Sequence, residues 1–253
     1  MNLNEYAKIY DWEFELICTR QMHDVKLWKK LAQQYGGPIL DVCCGSGRIT
    51  QVLLEMGFRV TALDNSEEML EILNNKHLPN VKTELADMTD FSLEQKFKLV
   101  IISYSSFQQL LTLEDQTRCL ATIKRHLKND GILAMDINPH ILEGPDVLQD
   151  EIAFIADNPE RNSRITMFTS HKIDHENKIK HWQDTYVEID KNGNEKKFNN
   201  LISLKECNKD YMLKLFDKCG FKIINIFGDF DGGKVTERSE NMIYVVKSHY
   251  RSS

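Results

Sequence analysis

Long apolar runs, paired metal-binding cysteines and an excess of positive charge are all missing from this 253-residue chain. No segment approaches the eighteen consecutive apolar residues of a membrane-spanning helix, so none is expected. The six cysteines, Cys18, Cys43, Cys44, Cys119, Cys207 and Cys219, show no C-x-x-C spacing, and no zinc site is expected. Cys43 and Cys44 are adjacent, but neighbours in a strand point to opposite faces and do not chelate one ion together. The thiols read as reduced, small apolar side chains. Lys and Arg number 32 against 38 Asp and Glu, a net charge of −6 with a pI near 5.8. That balance argues against a nucleic-acid or membrane surface as partner. Met1–Glu5 lacks a basic region followed by an apolar stretch, so no secretion signal is expected and a cytoplasmic location is the default. Internal repeats and low-complexity segments are absent as well.

Alternation of strands and helices dominates what is present. Tyr6 to Tyr35 reads as one or two helices, with Leu16, Met22, Val25, Trp28 and Leu31 near helical spacing, until Gly36-Gly37-Pro38 stops the run. Strands are predicted at Ile39–Cys43, Phe58–Leu63, Val81–Leu85, Phe97–Ser103 and Ile132–Ile137, with helices between most of them. Lys98–Ile102 has the near-continuous apolar character of a strand buried on both faces. Such alternation predicts a doubly wound, mostly parallel sheet with N-terminal helices. After Asn138-Pro139 the pattern changes to four strands joined by short turns, predicted to pair antiparallel. The expected organisation is therefore an α/β domain of residues 1–138 and 205–253, interrupted by an antiparallel insertion at 139–204. The last strand, Met242–Lys247, follows a turn without a crossover helix and is expected to run antiparallel.

Asp41-Val42-Cys43-Cys44-Gly45-Ser46-Gly47 lies between the first strand and the helix that begins at Arg48. Glycine permits a turn at positive φ and lets a ligand approach bare backbone. The open N–H groups of the following helix favour electronegative ligand atoms. One strand later an apolar run ends in Asp64, placed to accept hydrogen bonds from two ribose hydroxyls. A dinucleotide fingerprint, G-x-G-x-x-G, would need a third glycine at Thr50 or at Arg48, and neither register fits.

The loop instead resembles motif I of class I methyltransferases, D/E-x-G/A-x-G-x-G, with Cys43 departing at the first small position. The resemblance runs over residues 36–137 and 207–248 and implies a seven-stranded sheet with a final antiparallel hairpin strand. It also implies S-adenosyl-L-methionine as cofactor and S-adenosyl-L-homocysteine as product. Gly228-Asp229-Phe230-Asp231-Gly232 resembles an element frequent in bacterial small-molecule members. By this resemblance Gly45, Ser46 and Gly47 approach the methionine moiety, and Asp41 fixes the loop or reaches the amino group. Arg48 reaches the carboxylate or closes the pocket. Asp64 binds ribose, Asn65 and Met69 flank the adenosine, and Ala86-Asp87-Met88 holds the adenine. Ser103 lies beside the cofactor, and Tyr6 and Tyr10 belong to a Y-x-x-x-Y-D run similar to a segment that folds over it in several members.

Methyl transfer from a sulfonium needs alignment and exclusion of water more than covalent help. A base is needed for an amine or hydroxyl acceptor, and His140, His181 and Tyr10 are the candidates. No metal is expected, because His171, His175 and His181 lack a carboxylate at matching spacing. The expected function is methylation of nitrogen or oxygen on a small molecule, with an amine slightly favoured by the resemblance. The insertion is expected to act as a substrate-binding lid, supplying Phe168, His181, Trp182 and Tyr186. An RNA or protein methyltransferase would need a basic face or an N-P-P-[YFW]-like element after the fourth strand, where Ser103-Tyr104-Ser105-Ser106 stands. A non-catalytic S-adenosylmethionine-binding protein is the remaining alternative. No nucleic-acid or membrane partner is expected, and monomer and homodimer both stay open.

Overall fold

A computed structural model of the chain describes residues 3–18 and 23–249; Met22 lies outside them. Contacts divide the chain into two units, one of Arg20–His140 with Cys207–Ser253 and one of Met1–Thr19 with Ile141–Glu206.

The first unit is built on a seven-stranded sheet. Its strands are β1 (Ile39–Val42), β2 (Val60–Asp64), β3 (Val81–Leu85), β4 (Phe97–Ile102), β5 (Leu127–Ile137), β10 (Phe221–Phe227) and β11 (Met242–Ser248). They lie in the order β10-β11-β5-β4-β1-β2-β3. β11 runs antiparallel to both β10 and β5, whereas β2, β3, β4 and β5 run with β1. The helices are α2 (His23–Tyr35), α3 (Arg48–Glu55), α4 (Glu67–Asn75), α5 (Leu113–His126) and α6 (Lys209–Lys218). Every residue of β1 and β2 is buried. Strand alternation sorts the core into two layers. Leu40, Val42, Val100, Ile102, Leu133 and Met135 pack with Phe107, Leu120, Ile123 and Phe216. Ile39, Leu99, Ile101, Ile132, Ala134 and Val245 pack with Trp28, Leu31, Ile49 and Leu53 of α2 and α3.

Helix starts are set by short polar side chains. Ser66, Thr112 and Asn208 accept from the backbone N–H of Met69, Asp115 and Tyr211 respectively. In α5 the acidic first turn, Glu114-Asp115, and the basic last turn, Lys124-Arg125-His126, both complement the helix dipole.

The second unit pairs α1 (Leu3–Cys18) with a four-stranded antiparallel sheet of β6 (Val147–Asn158), β7 (Ser163–Asp174), β8 (Ile179–Asp190) and β9 (Glu195–Lys205). Ile9 of α1 is buried with Ile165, Met167, Tyr186 and Phe198, and Tyr6, Trp12 and Phe154 pack around them. Met167, Tyr186 and Phe198 sit side by side in register. Glu5 pairs with Lys196 at 2.5 Å, and Arg161 forks onto Glu188 at 2.6 and 2.8 Å. Among the described residues, no helix is long and apolar enough to cross a membrane.

Glu13 of α1 is 5% exposed and accepts the Tyr186 hydroxyl at 2.6 Å. Burial pushes its carboxyl up from 4.5 to about 7, against the hydrogen bonds from Tyr186 and Tyr6, with the Asp184 charge adding to the rise. A raised value in the folded chain means that stability present below the unfolded value is lost as pH climbs through about 7, an effect on the order of 3 kcal/mol. The Glu13→Gln variant is therefore expected to flatten the melting temperature between about pH 5 and pH 8, measured by circular dichroism. A wild-type pH dependence in the variant would contradict the assignment.

Candidate cofactor and active site

Strand order reverses between β1 and β4, which places the ligand edge at the carboxyl ends of these parallel strands. Immediately after β1, Cys43 adopts a left-handed φ of 58°. The Cys44 N–H donates to the Leu63 carbonyl at 3.0 Å, tying the loop to β2. Gly45 and Gly47 follow at φ 55° and 90°. Gly47 ends the loop as the left-handed cap of α3, and a Cβ there would press into the Leu73 side chain of α4. Close helix–loop packing thus leaves room for hydrogen alone at this position.

Asp64 closes the other side of the edge. Its Oδ2 accepts from the Gly45 N–H at 2.8 Å, and its Oδ1 accepts from the Ser66 N–H at 2.9 Å. One carboxylate therefore joins the loop after β1 to the start of α4. Lys76, beyond the end of α4, donates to the Ser46 carbonyl at 2.9 Å and holds the loop from outside.

Asp41 is fully buried. Its Oδ2 accepts the Thr50 hydroxyl at 2.6 Å, whereas Oδ1 has no hydrogen-bond partner. Burial pushes its carboxyl up to about 6, opposed by Thr50 and by the Arg48 charge. An orphaned buried carboxylate oxygen is costly and is satisfied when a donor arrives. The glycine cradle fits a ligand that approaches bare backbone, such as the methionine end of S-adenosylmethionine, whereas this Asp41 oxygen is enclosed by protein. Arg48 itself forks onto Asp24 of α2 at 2.8 and 2.7 Å, and the Trp28 indole N–H donates to the same carboxylate at 3.2 Å.

The loop after β3 joins this edge. The Ala86 N–H donates to the Asp64 carbonyl at 3.0 Å. Asp87 is exposed, with Oδ1 accepting from the Thr89 N–H and hydroxyl at 2.7 and 2.6 Å. The Cys43 thiol lies 3.7 Å from the Met88 sulfur, joining the loops after β1 and β3. Asn65 is exposed and Met69 half-buried at the start of α4. Ser103 is buried at the end of β4, its carbonyl accepting the Ser106 hydroxyl at 2.7 Å.

The structure thus gathers Asp41, Gly45, Ser46, Gly47, Arg48, Asp64, Asn65, Met69, Ala86, Asp87, Met88 and Ser103 along one sheet edge. His140 follows β5, with its N–H donating to the Asn138 side chain at 2.9 Å. Tyr6, Tyr10 and His181 belong to the antiparallel unit. Tyr6 and Tyr10 meet edge to face at 5.8 Å, and Tyr6 tilts against Tyr186 at 5.6 Å. His181 is exposed beside the Ser203 hydroxyl, 2.7 Å away. The insertion residues Phe168, His181, Trp182 and Tyr186 fall on two faces of the antiparallel sheet. Trp182 and Tyr186 alternate onto the face that carries Met167, while His181 and Phe168 point to the opposite face with Thr185. Among the described residues, no group of three or more His, Cys, Asp or Glu is placed to hold a metal ion.

Two residues escaped the sequence reading. Asp24, the partner of Arg48, lies 24 positions upstream and carries no local signal. Asp136 is a lone acid inside the apolar run Ile132–Ile137, a local signal that by itself points to no partner.

Comparison with known proteins agrees with this geometry. Residues 39–131 match the methyltransferase domain family. Putative methyltransferase YqeM of Bacillus subtilis is 31% identical over 53% of this chain and 54% of its own length. The chain thus spans about half of that relative, whereas a putative methyltransferase of Geobacillus sp. (strain WCH70) is 28% identical over 88% of this chain and 89% of its own. The dTDP-3-amino-3,4,6-trideoxy-alpha-D-glucopyranose N,N-dimethyltransferase of Streptomyces venezuelae is 32% identical over 39% of this chain and 41% of its own. A crystal structure of an S-adenosylmethionine-dependent methyltransferase from Clostridium acetobutylicum superposes with a TM-score of 0.79 at 19% identity, covering 98% of this chain and 99% of that one. The chain thus carries a methyltransferase-domain match over residues 39–131 and has the fold of class I S-adenosylmethionine-dependent methyltransferases.

Gly47→Ala tests the cradle. Leu73 must yield and the left-handed backbone must accept a Cβ, so a loss of about 1–3 kcal/mol is expected in urea unfolding. Unchanged stability would mean that the loop is free to repack.

Proposed function

We propose that the protein moves a methyl group from S-adenosylmethionine to a nitrogen or oxygen of a small-molecule acceptor. The observation carrying this reading is the pairing of the glycine cradle with the carboxylates of Asp41 and Asp64 at one sheet edge. Gly45, Ser46 and Gly47 would hold the methionine moiety, with buried Asp41 fixing the loop through Thr50. Asp64 would accept from the ribose hydroxyls. Asn65 and Met69 would flank the adenosine, Ala86, Asp87 and Met88 would receive the adenine, and Ser103 would border the methyl side.

When bound, the cofactor supplies a methyl group already activated on a sulfonium. The chain then has to align the acceptor and keep water away, which is catalysis by proximity. A nitrogen acceptor is favoured, supported by the relative named for N,N-dimethylation of an amino sugar. Such an acceptor must arrive neutral. We assign His140 as the group that takes its proton, because it leaves β5 near the ligand edge and a neutral imidazole can accept one.

Asp64→Ala is expected to weaken S-adenosylmethionine binding by about 10–100-fold in titration calorimetry, the loss of hydrogen bonds to a charged acceptor. Wild-type affinity in that variant would remove the ribose assignment. Release of S-adenosylhomocysteine from a panel of small amines and alcohols tests the reaction itself. His140→Ala is expected to lower kcat about 100-fold or more with cofactor affinity kept. An unchanged kcat would take His140 out of the chemistry.

A further inference from the structure

Two consecutive residues after β4 hold a conformation that side chains avoid. Tyr104 and Ser105 have φ of 59° and 55°, in the left-handed region that glycine enters freely and other residues enter at a cost. The reason they stay there lies on β5. Asp136, 3% exposed, accepts the Tyr104 N–H on Oδ1 at 2.7 Å and the Ser105 N–H on Oδ2 at 2.8 Å. The Ser105 hydroxyl adds a third contact at 3.3 Å. Three residues on, the buried Gln108 side chain bonds both backbone groups of Asn138, accepting its N–H at 2.8 Å and donating to its carbonyl at 3.0 Å. The carboxyl end of β5 thus grips the segment after β4 at several points. A strained backbone held this firmly presents Tyr104, an aromatic side chain 56% exposed, directly after Ser103 at the ligand edge. Strain retained by such surroundings is characteristic of functional sites.

We propose that Asp136 is a positioning residue for the cofactor: it holds Tyr104 and Ser105 left-handed and so sets Ser103 and Tyr104 against the ligand at the switch between β1 and β4. The inference rests on the S-adenosylmethionine reading above. The carboxylate must be ionised to accept both amides without a competing proton. Burial pushes Asp136 up to about 6, the two amides and the Ser105 hydroxyl pull it down, and Asp24 on α2, itself paired with Arg48, raises it. On the other side, β11 offers only the apolar Ile243 opposite Asp136. The grip should therefore loosen as pH falls through about 6.

Two measurements test this on the full chain. In the first, amide resonances of Tyr104 and Ser105 are followed by nuclear magnetic resonance between about pH 4.5 and pH 8; both are expected to titrate near pH 6 in the wild type, and flat profiles overturn the proposal. In the second, S-adenosylmethionine affinity is measured by calorimetry for the wild type, Asp136→Asn and the double variant Asp136→Asn/Ser105→Gly. The single variant is expected to bind about tenfold more weakly at neutral pH, because the amide keeps one acceptor oxygen and sets its NH2 donor against the other backbone N–H. Ser105→Gly is expected to recover most of that loss, because glycine needs no grip to stay left-handed, whereas a general structural defect would not be recovered. Wild-type affinity and pH dependence in Asp136→Asn would sink the inference and leave the methyltransferase reading standing. A wild-type chain that does not bind S-adenosylmethionine would sink both. Should Asp136→Asn fail to fold, the wild-type amide titration still decides.

Discussion

The Asp64 carboxylate is the joint on which the ligand edge depends. Its two oxygens take the N–H of Gly45 from the loop after β1 and the N–H of Ser66 from the cap of α4. Two loops that would otherwise move separately share one charged acceptor, and hydrogen bonds of this kind are among the stronger ones in proteins. The same group is the proposed ribose ligand. A carboxylate that is already oriented by two backbone donors loses little freedom when a ligand arrives, which is the advantage of preorganisation.

Around that joint, buried acids do most of the organising. Asp41 leans on Thr50 at the start of α3 and keeps one oxygen unsatisfied. Asp136 holds the turn after β4, and Asp24 holds Arg48. Asp41 in β1 and Asp136 in the apolar run Ile132–Ile137 lie on the layer that faces α2 and α3, and both carboxyls are pushed upward by burial. Buried ionisable groups are costly unless paired, so their concentration near one sheet edge marks where the fold gives up stability for chemistry.

Much of this was readable before the structure. Parallel strands buried on both faces have to be written as short apolar runs, so β1, β2 and β4 stood out. The glycine turn, the acid after β2 and the caps Ser66 and Thr112 are local signals, and each occurs where its chemistry requires. What stayed hidden depends on partners distant in sequence. Nothing near Glu13 announces that Tyr186, 173 positions later, will donate to it. His181 and Trp182 are neighbours in sequence, yet the pleat sends them to opposite faces, and only the pairing register says that Met167 of β7 shares the face of Trp182 and Tyr186. The lone Asp136 is a local signal, but its meaning lies in two left-handed residues 31 and 32 positions earlier.

Neither unit is continuous along the chain. The antiparallel sheet takes its covering helix from the first residues, and the seven-stranded sheet takes β11 from the last. That final strand does not add to a margin; it slots between β10 and β5. During translation β5 must wait, with one flank open, until more than a hundred further residues have left the ribosome. Unpaired strand flanks are where nascent chains stick to one another. Synthesis of this protein therefore passes through a vulnerable interval whose end is marked by arrival of β11.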